Sequence, residues 1–183
     1  MLEFRLQPAL PPEGGTPAPA GSAEMRPCHS ILVLALVLPA CRAKAPYEGK
    51  SAAELESMLQ KPDARTQAQG AYGLSLLGPE ARSSVPSLAT ALKTGEPLVR
   101  QNAALALGRI GPAAQNAVPA LIDALHDEEW PVRRQAAFAL GEIGSAAKSA
   151  IAALEEITRD SDDLVRKAAI AALEKIRKLE SAQ

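Results

Sequence analysis

The chain has 183 residues, 47% of them hydrophobic but only 3% aromatic, and carries 20 basic against 21 acidic side chains. Such a balance gives the chain no broad electrostatic reason to bind nucleic acid, which needs a concentrated positive footprint. An apolar complement made mostly of Ala, Leu, Val and Ile suits tightly packed helices better than sheets, where β-branched and aromatic residues are enriched.

Residues 1–24, MLEFRLQPALPPEGGTPAPAGSAE, are rich in Pro, Gly and Ala and have no sustained apolar period. They have too little to bury and read as a disordered or non-native extension. Met25 then opens MRPCHSILVLALVLPAC, with a basic start at Arg26, an apolar run from Ile31 to Leu38 and small residues leading to Cys41. The run is too short to span a bilayer as a helix. These are the parts of a secretory signal peptide over residues 25–40, which makes Met25 the expected start.

Leu38, Pro39, Ala40 and Cys41 resemble the lipobox of bacterial lipoproteins, with Pro39 standing where a small non-Pro residue is usual. The resemblance implies that Cys41 is acylated and begins the mature chain. Arg42 after it, rather than Asp, implies sorting to the outer membrane, facing the periplasm. Cleavage beside an unlipidated Cys41, and no export at all, are the alternatives. Loss of the signal removes Cys28 and leaves Cys41 without a thiol partner, so no disulfide framework is available. It also removes Arg5, Arg26, Glu3, Glu13 and Glu24, leaving eighteen charges of each sign. Residues 41–50 read as a tether.

A repeat domain is expected over 51–183. It begins with SAAELESMLQ, where Ser51 and Glu54 stand in capping-box spacing. This segment matches only the second helix of a unit and closes the N-terminal end. A worn unit follows, LSLLGPEARSSVPSLATAL, which places Leu74, Gly78, Val85 and Leu88 on Leu107, Gly111, Val118 and Leu121 of the next. Gly70 and Gly73 each cost its first helix roughly 1 kcal/mol relative to Ala, so that helix is expected to be the loosest.

The phrase VRQNAALALGRIG at Val99 returns thirty-three residues later as VRRQAAFALGEIG and again as VRKAAIAALEKIR. Val99, Ala103, Ala106, Leu107 and Ile110 form one helical face. It recurs at Val132, Ala136, Ala139, Leu140 and Ile143, and at Val165, Ala169, Ala172, Leu173 and Ile176. Gly111 and Gly144 end the first helices of two copies where a positive φ closes a helix cheaply. Second helices carry Val118, Leu121, Ala124 and Leu125, answered by Ile151, Leu154, Ile157 and Thr158. In the last copy Glu174 and Arg177 replace glycines, so its helix should run on to about Leu179 as a terminal cap. Self-similarity at this period means a solenoid, in which each unit buries its apolar face only against its neighbours.

The period alone would allow ankyrin or tetratricopeptide repeats, but neither the Thr-Pro-Leu-His turn nor the Trp/Leu-Gly/Tyr series is present. EPLVRQNAALALGRIGPAAQNAVPALIDAL is similar to the short bacterial HEAT-like repeat, the type also found in phycobilisome lyases. The resemblance covers roughly Ser51 to Leu179. It implies an all-α, right-handed α-solenoid of HEAT-like helical hairpins and specifies no activity.

Glu96, Glu129 and Asp162 precede Arg100, Arg133 and Arg166 by four residues, the favourable order for a helical ion pair. The arginines read as caps and inter-repeat tethers, with a stripe that grips phosphate or carboxylate as the functional alternative. Lys93, His126 and Arg159 end their helices as cations that complement the helix dipole. His126 is the single histidine after residue 40, and only Asp123 and Asp127 stand near it, so neither a metal site nor any other cofactor is expected. Without a Gly-rich phosphate cradle or a nucleophile motif, no catalytic residue is assigned.

The expected function is a membrane-anchored scaffold or adaptor at the bacterial cell envelope that binds a protein or peptide. A lyase-type enzyme or enzyme accessory is the alternative. The second helices are expected to expose Ser87, Thr90, Ala120, Asp123, Ala153 and Glu156, a small, mildly acidic surface that fits a narrow or basic peptide. Trp130, the only tryptophan, falls where other copies place Pro97 and Asp163, and reads as an exposed aromatic contact.

Overall fold

The structure, a computed structural model, describes residues 45–180. The readings of the leader, the signal peptide and Cys41 lie outside the described residues. Every regular element among the described residues is helical: α1 (Ala52–Leu59), α2 (Ala64–Leu77), α3 (Val85–Thr94), α4 (Pro97–Ile110), α5 (Val118–Ala124), α6 (Trp130–Ile143), α7 (Ile151–Ile157) and α8 (Asp163–Glu180).

Local chemistry sets most of the helix starts. The Ser51 side chain accepts from the Glu54 amide while the Glu54 carboxylate accepts from the Ser51 amide at 2.8 Å, closing the expected capping box on α1. Asp63 caps α2 by accepting from the Thr66 amide at 2.8 Å, and Asp162 caps α8 through the Leu164 and Val165 amides. Pro97 and Pro131 sit in the first turns of α4 and α6, where a missing N–H costs nothing.

The first helices α2, α4 and α6 end at Gly78, Gly111 and Gly144, whose φ values of 55°, 71° and 72° lie in the region that favours glycine. The link that follows is longer than a tight turn. Seven residues of 3-10 helix run from each glycine, over Gly78–Ser84, Gly111–Ala117 and Gly144–Ala150, before the second helix begins. A 3-10 helix repeats every three residues. Accordingly Gly78, Ala81 and Ser84 are buried in the first link, Gly111, Ala114 and Ala117 in the second, and Gly144, Ala147 and Ala150 in the third. The run Trp130–Ile157 is long and apolar enough by composition to cross a membrane. It is, however, α6 and α7 with a link between them, interrupted at Gly144 and half buried in the solenoid.

First helices stack on first helices, α2 on α4 on α6 on α8, and each packs against the second helix that precedes it, α2 on α1, α4 on α3, α6 on α5 and α8 on α7. All fifteen residues assigned to the three repeated faces are buried. Small side chains set the spacing. A Cβ at Gly108 would stand 3.0 Å from the Ala139 Cα, and one at Gly141 would stand 2.9 Å from the Ala172 Cα.

Gly70 and Gly73, expected only to loosen α2, have the same purpose at the N-terminal end. A Cβ on Gly70 would meet the Leu55 carbonyl oxygen at 2.7 Å, and one on Gly73 would meet Leu55 Cδ2 at 2.5 Å. The glycines admit α1, so their helical cost is offset by packing. Within the expected tether, Tyr47 packs against the core and sets its ring edge-on to Tyr72 at 5.1 Å. At the other end α8 continues to Glu180 as expected, and Leu179 lies over Gly144.

Gly70→Ala separates the two accounts of this helix. Propensity alone predicts a gain of about 1 kcal/mol. The contact with the Leu55 backbone predicts instead a net loss on the order of 1–2 kcal/mol, read as a lower midpoint in thermal or urea unfolding.

Candidate functional site

The second helices present two rows of residues at the thirty-three-residue period. Thr90, Asp123 and Glu156 form the outer row, and all three are exposed. Ser87, Ala120 and Ala153 form the other row, which turns toward neighbouring elements. Ser87 and Ala153 are half-buried there, and Ala120 is buried at 5% exposure. The expectation that Ala120 is exposed is therefore corrected: it lies in the first turn of the short helix α5, on the side that meets α3.

Two depressions run along this layer. One, of about 330 Å³, lies between α1 and α3 and includes Lys61, Gln67, Ser87, Thr90 and Thr94. The other, of about 310 Å³, lies between α3 and α5 and includes Thr90, Lys93, Thr94, Asn116 and Ala120. Thr90 and Thr94 border both, so the two depressions adjoin across α3 and are together a groove interrupted by that helix. Of the expected contact residues, Ser87, Thr90 and Ala120 line it. Asp123 borders it through an ion pair with Lys93 at 3.4 Å, and Ala153 and Glu156 lie beyond it on α7.

The groove is anchored at its α1 side by Glu56, whose carboxylate accepts from Ser84 Oγ at 3.0 Å and from Ser87 Oγ. Ser84 is fully buried where the next two units place Ala117 and Ala150, and Glu56 satisfies the hydroxyl that this exchange introduces. Trp130 belongs elsewhere. It opens α6 on the first-helix layer, 40% exposed, with the Arg134 guanidinium 5.8 Å from its ring centroid. The structure thus divides the expected contact residues between two faces.

The arginine ladder takes partners other than the expected ones. Arg100 donates through Nε and Nη2 to both carboxylate oxygens of Asp127, at 2.6 and 2.7 Å, and through Nη1 to the Gly95 carbonyl at 3.0 Å. Arg133 repeats this with Asp160 at 2.7 and 2.9 Å and with the Asp127 carbonyl at 2.9 Å. Each arginine therefore joins its own loop to the loop one repeat further on. Glu96 and Glu129 cap nothing with their side chains, and Asp162 caps α8 through its backbone partners. The i,i+4 pairing is corrected because the next loop offers a bidentate carboxylate, which a guanidinium fork binds better than a single exposed oxygen.

These pairs are not ligand sites. Side-chain exposure is 19% and 11% for Arg100 and Asp127 and 14% and 7% for Arg133 and Asp160, so the forks are filled and mostly covered. Asp127 and Asp160 were missed in the sequence, although both stand twenty-seven residues after an arginine of the ladder. That recurrence was the available signal. In the worn unit Gln67 stands in the arginine's place and donates to the Lys61 carbonyl at 2.7 Å, while Thr94 occupies the aspartate's place. The tether is lost from both sides together.

The HEAT-repeat family model matches residues 52–137 and 118–183. The chain belongs to the HEAT-repeat family. No curated protein matches the sequence. Among solved structures it is similar to two engineered proteins, each 27% identical with a TM-score of 0.61 over 69% of this chain, of which it covers 62% and 64%. It is also similar to a designed armadillo repeat protein in complex with the peptide (KR)4, at 18% identity and a TM-score of 0.59, over 67% of this chain and 62% of that one. This HEAT-repeat chain thus spans less than two thirds of the length of each of these neighbours.

As in other solenoids, the HEAT repeats here form a scaffold suited to protein–protein interaction. Among the described residues no group of three or more His, Cys, Asp or Glu side chains is placed to hold a metal ion. Electrostatics concentrate in the tethers. The Arg133 fork, with the Asp162 amide, holds the Asp160 carboxyl below its usual range against the opposing effect of burial. At Asp127 burial pushes upward, but Arg100 and the Glu129 amide outweigh it and the net shift is also downward.

A carboxylate whose folded pKa is depressed stabilises the fold above its unfolded value near 4, and that stability is lost as pH falls through the folded value. Asp160→Asn should therefore cost about 1.5–3 kcal/mol at neutral pH, and the gap from wild type should close as unfolding is followed from about pH 4 downward. A gap unchanged at low pH would show that the pairing contributes nothing.

Proposed function

We propose that the protein is a membrane-anchored HEAT-repeat adaptor of the bacterial cell envelope, held by lipid on Cys41 and docking a protein or peptide on its second-helix layer. The groove shared by α1, α3 and α5 carries the docking half of this reading. Its walls come from three successive units, so a bound segment would cross the repeats. Its lining of Ser87, Thr90, Thr94 and Asn116 favours a narrow segment held by hydrogen bonds over a bulky apolar one. Beyond the groove Asp123 is paired with Lys93 and Glu155 with Arg177, while the exposed Glu156 adds negative charge at the α7 end, which favours a basic segment there. The armadillo neighbour solved with (KR)4 is a precedent in fold for a solenoid that holds such a peptide.

The anchoring half rests on the basic start, the short apolar run and Leu38 to Cys41. One acyl chain holds a membrane marginally, while several hold it firmly. The Arg42 sorting preference favours the outer membrane, with the solenoid in the periplasm. Trp130 is a second contact point on the opposite layer. The short repeats, of the phycobilisome-lyase type by resemblance, act in this reading as a scaffold with no bound pigment.

Capture from envelope extracts followed by mass spectrometry tests the docking face. Thr90→Arg changes an exposed side chain and should shift stability by no more than about 0.5 kcal/mol, yet it should abolish retention of the partner that wild type holds. Trp130→Ala should weaken that retention without lowering the melting transition. Retention unaffected by Thr90→Arg but lost with Trp130→Ala would move the docking face to the first helices. For the anchor, expression in a bacterium should give uptake of labelled fatty acid and partition into detergent, and Cys41→Ser should remove both. An intact N-terminus from Met1 or Met25 in the mature protein would refute lipidation.

A further inference from the structure

The ladder arginine of the last repeat lacks the partner that the other two have. Arg166 keeps half of the pattern, donating through Nη1 to the Asp160 and Ser161 carbonyls at 2.8 and 3.0 Å, as Arg100 and Arg133 donate to their own loops. For the other half its Nη2 turns to Asp163 of its own helix with a single bond of 3.1 Å. Among the described residues no carboxylate takes the place that Asp127 and Asp160 hold against the other two forks. The Arg166 side chain is 37% exposed, about twice Arg100 or more than twice Arg133.

Within α8 the pattern that leads into a further hairpin of the same build is broken. The preceding hairpins turn at Gly78, Gly111 and Gly144, whereas Arg177 holds the equivalent place and α8 runs straight on to Glu180. Nor does a stacked helix fit in register. Glu174 replaces Gly108 and Gly141, whose missing Cβ atoms are what let the next first helix approach. Arg166 lies eight residues before Glu174, roughly 12 Å along the helix, so a loop reaches it without meeting that block. Ile170 lies between them, 47% exposed where Ala104 and Ala137 are fully buried, and offers such a loop an apolar contact.

The fork itself selects the occupant. Lys167, Lys175 and Arg177 are already paired with Asp163, Glu142 and Glu155, whereas Arg166 keeps the donor geometry by which Arg100 and Arg133 take a bidentate carboxylate, so the site favours an acidic side chain on the incoming loop. A second copy stacked head to tail is disfavoured. Counting back by the repeat from Asp127 through Thr94 gives Lys61, so the first loop of that copy would set a cation against Arg166.

We propose that the C-terminal end of the solenoid is a second docking site, where Arg166 receives the carboxylate of an acidic loop from another protein as Arg100 and Arg133 receive Asp127 and Asp160. The site is independent of the second-helix groove, and either can fail without the other.

The probe is the capped peptide acetyl-Ile-Thr-Arg-Asp-Ser-amide, which copies residues 157–161, together with its counterpart bearing Asn for Asp. Arginine Nε–Hε correlations of the full chain are followed by NMR as peptide is added to millimolar concentration, the Arg166 signal being assigned by its loss in Arg166→Lys. The Asp peptide should move the Arg166 signal saturably and leave the filled forks of Arg100 and Arg133 still. The Asn peptide should bind about fivefold more weakly, the ratio expected when a bidentate charge-assisted pair is lost. In Arg166→Lys, which keeps the charge but not the fork, the backbone amides of Leu164 to Lys167 should no longer distinguish the two peptides. No movement at Arg166, an equal response to both peptides, or movement shared by all three arginines would overturn the proposal. A shift that follows protein concentration without peptide would assign the fork to a second copy, and would overturn it as well.

Discussion

The distance between neighbouring first helices is the constraint on which the rest of the molecule depends. One hairpin of about thirty residues buries too little apolar surface to stand alone, so stability comes from the stack. Ala103, Ala104, Ala106 and Gly108 on α4, with their repeats on α6, let the helices approach until backbone meets backbone. Larger side chains at those positions would push the helices apart. The loops at the helix starts would separate with them, beyond the reach of a single guanidinium. The bidentate pairs of Arg100 with Asp127 and Arg133 with Asp160 are thus a consequence of the spacing as well as a lock upon it.

The same stacking sorts chemistry between the two layers. Tyr72, Trp130 and Phe138 all lie on first helices, with Tyr47 packed against Tyr72, while the second helices carry no aromatic side chain. Charge divides in the same way. Second helices hold Glu54, Glu56, Asp123, Glu155 and Glu156 with Lys93 as their one cation, whereas Lys and Arg outnumber acids on the first helices. A chain with a net charge of only -1 is therefore polarised across its thickness. The two layers therefore offer different charge to whatever approaches them.

Much of this architecture was legible because the repeat itself acts as an internal comparison. Val99, Val132 and Val165 share a phase, and a phase shared by three copies fixes a helix face more firmly than one amphipathic window does. The links were legible too, had the period been read differently: Gly111, Ala114 and Ala117 mark every third residue with something small, the spacing of a 3-10 turn. What sequence could not supply was reach. Asp127 and Asp160 are bound to arginines twenty-seven residues away, and local rules favour the acid four residues away because that pair needs no tertiary structure. Ala120 failed for a related reason, since its burial depends on how closely α5 meets α3 and not on its place in the helix. At Gly70 and Gly73 helix propensity pointed to weakness, while the backbone of α1 above them required the missing side chains.

The two ends of the stack are closed by different means, and the difference bears on what each end can bind. At the N-terminal end α1 is a lone second helix, and its Glu56 reaches into the next hairpin to satisfy Ser84 and Ser87. Tyr47 and Leu55 cover Gly73, and the ladder there is reduced to Gln67, which bonds only within its own loop. At the C-terminal end closure is steric: Glu174 stands where glycine would admit another helix, and Arg177 stands where glycine would turn the chain. Such a block stops the stack but does not satisfy the groups that a further repeat would have satisfied. Arg166 is the group left over, still donating to its own loop and lacking the carboxylate of the next. A guanidinium is far better satisfied by a carboxylate fork than by one exposed oxygen.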